Sequence, residues 1–240
     1  ATGGTSEFIE LWRSLGHPVT GIDPKSGEVR EIGRGGPGRK SGTSRRGRPS
    51  SGRSSPKGAG RRIVAILFAD LVGFSRLQEE QFPRFVEGFL GAVATRLKAS
   101  RHAPVFKNVW GDAILFVFSD LLSAAEYAME LRDLVRETDW PALGLPPDLS
   151  IRIGLHAGPV YQAREPLLGR TNFYGSHVNQ AARIEPITSP GNVYASEQFA
   201  AMLVSDPANR LEAKPVGVIV LPKEFGSYPI YHIRRRNEID

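Results

Sequence analysis

The sequence of 240 residues contains no cysteine, which excludes disulfides and thiolate metal sites. It also lacks any apolar run near the roughly 18 residues a bilayer-spanning helix needs. The longest run, "IVAILFADLVGF", is interrupted by Asp70. No basic segment leads into an apolar one at the N-terminus, so no signal peptide is expected. These absences predict a cytoplasmic protein with no membrane span. Acidic residues are missing from residues 33–62, "GRGGPGRKSGTSRRGRPSSGRSSPKGAGRR", which hold 10 of the 31 Lys and Arg. The remainder carries 21 basic against 25 acidic residues, a net of −4, so the formal +6 charge belongs to one segment and not to the body.

That basic segment also has no large apolar side chain, so it cannot bury enough surface to order itself. Residues 33–61 read as a flexible linker. The alternative is an arm that binds nucleic acid or an anionic surface, but no aromatic is interleaved for base stacking, and the linker is preferred. Residues 1–32 form an N-terminal extension. In "SEFIELWRSLG", Ser6 can cap a helix with Phe8, Leu11, Trp12 and Leu15 on one face; "GIDPKSGEVREI" places a Pro/Gly turn between short strands.

Residues 62–240 have the pattern of a globular domain. "RRIVAILFA" is a continuous apolar strand suited to the centre of a sheet. Phe82, Phe85, Val86, Phe89, Leu90, Val93 and Leu97 follow helical spacing. "PVFKNVW" and "AILFVF" are strands joined through Gly111-Asp112, and "LLSAAEYAMELRDLVRE" is a second amphipathic helix. "LSIRIGLHAGPVYQ" is a strand pair or one long strand, and "GSHVNQAARIEPI" a helix ending near Pro186. "GNVYAS", "VGVIVLP" and "YPIYHIRR" complete the strands. The order predicts an α+β fold, a ferredoxin-like βαββαβ core with C-terminal additions.

Asp70 and Asp112 each place a carboxylate inside a hydrophobic run. In a βαββαβ sheet the first strand neighbours the hairpin, so both carboxylates can converge at one sheet end. Oxygen ligands of this kind suit Mg²⁺ or Mn²⁺, which bind through one or two carboxylates plus substrate phosphates. Gly73 and Gly111 leave the backbone open to close approach.

Four blocks occur in order, "FADLVGFSRL", "NVWGDAILFVF", "IRIGLHAGPV" and "YGSHVNQAARIE". Together they resemble the class III nucleotidyl cyclase catalytic domain, the adenylate/guanylate cyclase family, over roughly residues 62–234. The resemblance implies that Asp70 and Asp112 bind two metal ions, with the Leu71 carbonyl as a further ligand. It implies that Gly73, Phe74 and Ser75 contact the triphosphate through their backbone. Asn179 and Arg183 match the pair that positions the ribose and steadies the pentavalent phosphorus, and their i, i+4 spacing puts both on one helical face. Lys223 is the candidate for the triphosphate lysine. The implied reaction is cyclisation of a nucleoside triphosphate with loss of pyrophosphate. In the family the sites are shared across a head-to-tail dimer, so a homodimer is expected here.

The base-selecting positions depart from the family. Asn108 stands where adenylate cyclases have lysine and guanylate cyclases glutamate, and Asn172 where the partner selector is Asp, Thr or Cys. An asparagine amide both donates and accepts. Trp110 adds aromatic bulk beside Asn108. The chain resembles short bacterial members without a fused sensor domain, which make cyclic CMP or cyclic UMP as anti-phage signals (Pycsar-type). An adenylate cyclase with unusual selectors and a non-catalytic regulatory module are the alternatives. His156 is expected to be a hydrogen-bonded core histidine. His177, where the family often has Thr, stands near a helix N-terminus; a structural role is preferred there, and contact with phosphate is the alternative.

Overall fold

The computed structural model describes residues 20–22, 29–31, 60–236 and 238. The chain divides between Arg53 and Ser54 into two compact units. In the first, β1 (Thr20–Ile22) and β2 (Val29–Glu31) pair antiparallel with Thr20 opposite Glu31, the pair of short strands that the Pro/Gly turn predicts. The expected N-terminal helix lies outside the described residues. So do the linker through residue 59 and its nucleic-acid alternative.

The second unit is built on β3 (Gly60–Val72), β4 (Phe106–Trp110), β5 (Ala113–Phe118), β6 (Ser150–Glu165), β7 (Arg170–Tyr174), β8 (Val193–Ser196), β9 (Leu211–Leu221) and β10 (Gly226–Arg235). They form one sheet in the order β4-β5-β3-β6-β8-β10-β9, with β7 also paired to β6. Helices are α1 (residues 82–99), α2 (Leu121–Glu137), α3 (Ser176–Ile184) and α4 (Glu197–Ser205). The β4-β5-β3-β6 half, with α1 and α2 as its crossovers, is the ferredoxin-like arrangement that the element order predicts. None of the described helices is long and apolar enough to cross a membrane.

Period-two alternation divides the sheet into two faces. Ala65, Leu67, Ala69 and Leu71 of β3 and Ile151, Ile153, Leu155 and Ala157 of β6 enter the main core beneath α1 and α2. Each fully buried large aliphatic or aromatic side chain there contributes about 1.5–3 kcal/mol. On the opposite face Val64, Ile66, Leu115, Val117, Val160 and Phe173 pack with Ala181 of α3. Gly154 and Gly158 of β6 let α3 settle directly on the strand. A Cβ on Gly154 would lie 2.5 Å from the Glu185 backbone nitrogen, and one on Gly158 would lie 2.3 Å from the His177 ring.

The strand 150–165 is continuous, which resolves the choice between one strand and two, and three other elements differ from expectation. Within α1, residues Phe85–Leu90 form a π-helical turn; Phe85 and Phe89 stack in the core while Val86, placed by spacing on the same face, is 56% exposed. The wider turn rotates the face away from simple 3.6 periodicity. Strand β7 and helix α4 carry too little period to be called: "RTNFY" is mostly polar and "EQFAAMLVS" is short.

Candidate active site

Asp70 lies two residues from the end of β3, on the face that carries α3, directly across from Arg152 of β6. The pairing of β3 with β5 stops at Ala69, so beyond it the strand edge is open towards the β4–β5 hairpin. Leu71 sits in that open stretch with its side chain in the core. Gly111 and Asp112 form the two-residue turn after Trp110, with Gly111 at φ 59 in the left-handed region. The expected convergence is present: Asp112 and Asp70 are close enough to hydrogen-bond. Burial first, and then the Asp70 charge, push the Asp112 carboxyl up to about 6.

A cation already occupies this anionic end. Arg152 donates to Asp70 Oδ2 at 2.5 Å and lies 2.8 Å from Glu185 Oε1. Burial opposes the guanidinium charge, but the two carboxylates outweigh it and hold its pKa above the ordinary value. Glu185, half-buried just past α3, is pushed up to about 7 by burial and by Asp70, against the pull of Arg152. No three His, Cys, Asp or Glu side chains gather as a metal cluster among the described residues. Two carboxylates are nonetheless a fitting donor set for Mg²⁺ or Mn²⁺, which keep several waters and take further oxygens from phosphate. The seated guanidinium shows that this position favours positive charge.

Arg152 and Glu185 were missed from sequence. The signal was available for Arg152: like Asp70, it is a charge inside an apolar strand, "LSIRIGLHAG". Glu185 gives no such sign.

The turn expected to hold phosphate follows β3. Gly73 takes φ 99 and opens a single 3-10 turn, Phe74–Arg76. The Phe74 ring packs on Phe82 and Phe85 and meets Gly111, while Ser75 is exposed. The turn is therefore fixed against the Gly-Asp hairpin by a core aromatic.

Asn179 and Arg183 occupy the outer side of α3. The helix buries Gln180, Ala181 and Ile184 against the sheet and leaves Asn179 exposed and Arg183 half-buried. Glu185, in the 3-10 turn after α3, joins the aspartates through Arg152, whereas Asn179 and Arg183 lie on the side of α3 turned away from the sheet.

The two expected base-selecting residues, Asn108 and Asn172, lie on β4 and β7. Asn108 is buried, and its Oδ1 accepts from Arg170 of β7 at 2.8 Å. Arg170 is a third residue that sequence reading missed. The partnership leaves the Asn108 amide NH₂ as a donor. Asn172 Oδ1 accepts from the Phe173 backbone N–H at 2.8 Å, which leaves its amide NH₂ as a donor. Trp110, at 59% exposure, flanks Gly111. Lys223 is exposed in the β9–β10 turn at φ 61. Strand register puts that turn at the end of the sheet opposite Asp70, so one chain does not bring Lys223 to the carboxylates.

His156 is the core histidine expected: fully buried, with Nδ1 2.7 Å from Ser196 Oγ and Nε2 2.8 Å from His177 Nδ1. Burial, and then His177, depress its pKa to about 4. His177 takes the structural role and not the phosphate alternative. Its ring is stacked on His156 and wedged over Gly158, turned into the sheet and away from any phosphate at the helix end.

Residues 59–222 match the family described as the adenylate and guanylate cyclase catalytic domain. The chain is 33% identical over 143 residues to putative adenylate cyclase 3 of Rhizobium meliloti, covering 57% of this chain and 22% of that protein. It is 31% identical over 148 residues to an adenylate cyclase of Streptomyces coelicolor, covering 60% and 35%. The chain thus spans between a fifth and about a third of the length of these relatives. Among solved structures, the adenylyl cyclase CyaB of P. aeruginosa superposes with a TM-score of 0.64 at 18% identity, covering 76% of this chain and 99% of that one. The guanylate cyclase domain of RhGC from Catenaria anguillulae, in complex with GTP, gives 0.63 at 21%, covering 75% and 100%. With two carboxylates converging at one sheet end and the Asn/Arg helix packed on the same face, the chain belongs to the adenylate/guanylate cyclase catalytic domain family.

Proposed function

We propose that this chain converts a nucleoside triphosphate into its 3′,5′-cyclic monophosphate and pyrophosphate. The observation that carries the reading is the Asp70–Asp112 pair with a guanidinium already seated on it. In the reaction the ribose 3′-oxygen forms a bond to the α-phosphorus, the bond from that phosphorus to the β-phosphate oxygen breaks, and the 3′-hydroxyl proton passes to solvent. Two Mg²⁺ or Mn²⁺ ions held by Asp70 and Asp112, with the Leu71 carbonyl, would neutralise the entering and leaving oxygens. The Gly73–Ser75 backbone holds the triphosphate. Asn179 orients the ribose, and the planar donors of Arg183 match charge growing on the phosphoryl oxygens.

Because each chain's Asn/Arg pair lies on the side of α3 turned away from the sheet that carries its aspartates, the complete site is one shared between two copies in a homodimer. Lys223, remote from its own chain's carboxylates, serves the partner's triphosphate on this reading.

For the base, the favoured reading is a pyrimidine, with cyclic CMP or cyclic UMP as an anti-phage signal. Asn108 and Asn172 both present amide donors, and both pyrimidines offer carbonyl acceptors. The second reading, ATP to cyclic AMP, is favoured by the relatives named adenylate cyclases. Incubation with ATP, GTP, CTP or UTP plus Mn²⁺, with products identified by mass spectrometry, separates them. A dominant pyrimidine product is expected. Cyclic AMP would overturn the pyrimidine reading alone, and no cyclic product from any nucleotide would overturn the activity.

A further inference from the structure

Arg76 closes the turn that begins at Gly73: its backbone N–H donates to the Gly73 carbonyl at 3.0 Å. Its guanidinium lies along the open side of that glycine, 2.9 Å from where a Cβ would stand. On the other side of the turn the Phe74 ring lies 3.7 Å from the Cβ position of Gly111, the residue before Asp112. The carboxylate pair, the hairpin glycine, the turn and the Arg76 guanidinium therefore form one contiguous line.

Arg76 is held lightly. Its ion-pair partner is Asp148, at 2.6 Å, and the two side chains are 61% and 55% exposed. An exposed ion pair of this kind is worth about 0–1 kcal/mol, so exchanging one anion for another costs little. Arg152, by contrast, is already committed to Asp70 and Glu185 deeper in the site. A triphosphate whose α-phosphorus sits at the carboxylate pair carries excess negative charge outward, and Arg76 is the cation placed on the adjoining turn. Its planar fork suits two phosphate oxygens at once.

We propose that Arg76 is a triphosphate-binding residue held in reserve by Asp148, exchanging the Asp148 carboxylate for terminal phosphate oxygens when a nucleoside triphosphate binds. The assignment rests on the cyclase reading above and adds a residue to it. Asp148 is then a competitor for Arg76, and the two side chains affect binding with opposite signs.

The test is calorimetric binding of the four 3′-deoxynucleoside triphosphates, which cannot cyclise, with Mn²⁺, and of the matching 3′-deoxy monophosphates. For the tightest triphosphate, R76A is expected to weaken binding about tenfold, the scale of one hydrogen-bonded charge. R76K should fall between, for want of the fork. D148A should tighten binding several-fold, and none of the three should alter monophosphate binding. If the pair is only a clasp between the turn and the segment before β6, R76A and D148A will weaken binding alike and lower the melting temperature alike, which overturns the assignment. Wild-type binding with R76A unchanged also overturns it while leaving the cyclase reading intact. Wild-type protein that binds no triphosphate overturns the cyclase reading and this assignment with it.

Discussion

His156 has no exposed surface and both ring nitrogens bonded, one to Ser196 and one to His177. With its folded-state pKa depressed to about 4 from 6.5, the unfolded chain binds more protons between those values. Stability from this residue is fully present above pH 6.5 and is lost as pH falls towards 4. His156→Asn should therefore lower the melting temperature at pH 7.5, reflecting a loss of about 1–3 kcal/mol for the disrupted buried bonds. It should also flatten the decline on acidification, and melting curves across pH 4–8 measure both. An unchanged slope would mean that His156 is not the titrating group.

Asp112 works in the opposite sense. Its pKa is raised to about 6 from 3.8, so in metal-free protein the folded state holds its proton longer, and stability falls as pH rises through that window. Asp112→Asn should melt above wild type in EDTA at pH 8, with the gap closing towards pH 4. Added Mn²⁺ should raise the wild-type melting temperature and leave that of the variant unmoved. The site thus sacrifices stability in order to hold two carboxylates together.

Among the elements, α3 depends on two glycines of the strand beneath it. Gly154→Ala would put a methyl group 2.5 Å from the Glu185 backbone nitrogen, where no side-chain rotation relieves the clash. We expect a loss of about 1–3 kcal/mol by urea unfolding. Activity should fall as well, since lifting α3 moves Asn179 and Arg183. Gly91→Ala is the contrast: it lies within α1 with only the Val86 carbonyl near, at 4.0 Å, and should gain about 0.5–1 kcal/mol from helix propensity. Equal effects at the two positions would show that α3 is not seated as tightly as the glycines imply. The elements legible in sequence were those with a strong period or a clear cap. Helix α2 spans the predicted Leu121–Glu137, opened by Asp120 accepting from the Ser123 N–H at 2.7 Å. The π turn in α1 was not legible, because one widened turn leaves the spacing of its phenylalanines nearly helical.

At the scale of the whole molecule, the shared-site reading makes a prediction that neither half-site can make alone. Mixing Asp70→Ala chains with Arg183→Ala chains should restore one working site per heterodimer. Random pairing of equal amounts leaves half the dimers mixed, so about a quarter of wild-type activity should return. Two inactive proteins that exchange subunits and stay inactive would sink the shared site.

What the sequence determined by itself was whatever is written locally. Short apolar runs assigned β3 and the β4–β5 hairpin to a sheet, the order of four blocks identified the family, and a charge inside an apolar run marked Asp70 and Asp112. Only the tertiary structure decided the partners. Arg152 joins Asp70 across 82 positions of chain, and Arg170 reaches Asn108 across 62. No local period encodes which charge will neutralise another once strands are brought side by side. His177 shows the same limit: its place at the head of α3 left phosphate as an alternative, and a glycine on the neighbouring strand turned it inward. Pairing between distant side chains is set by register and face, and both exist only when the sheet has formed.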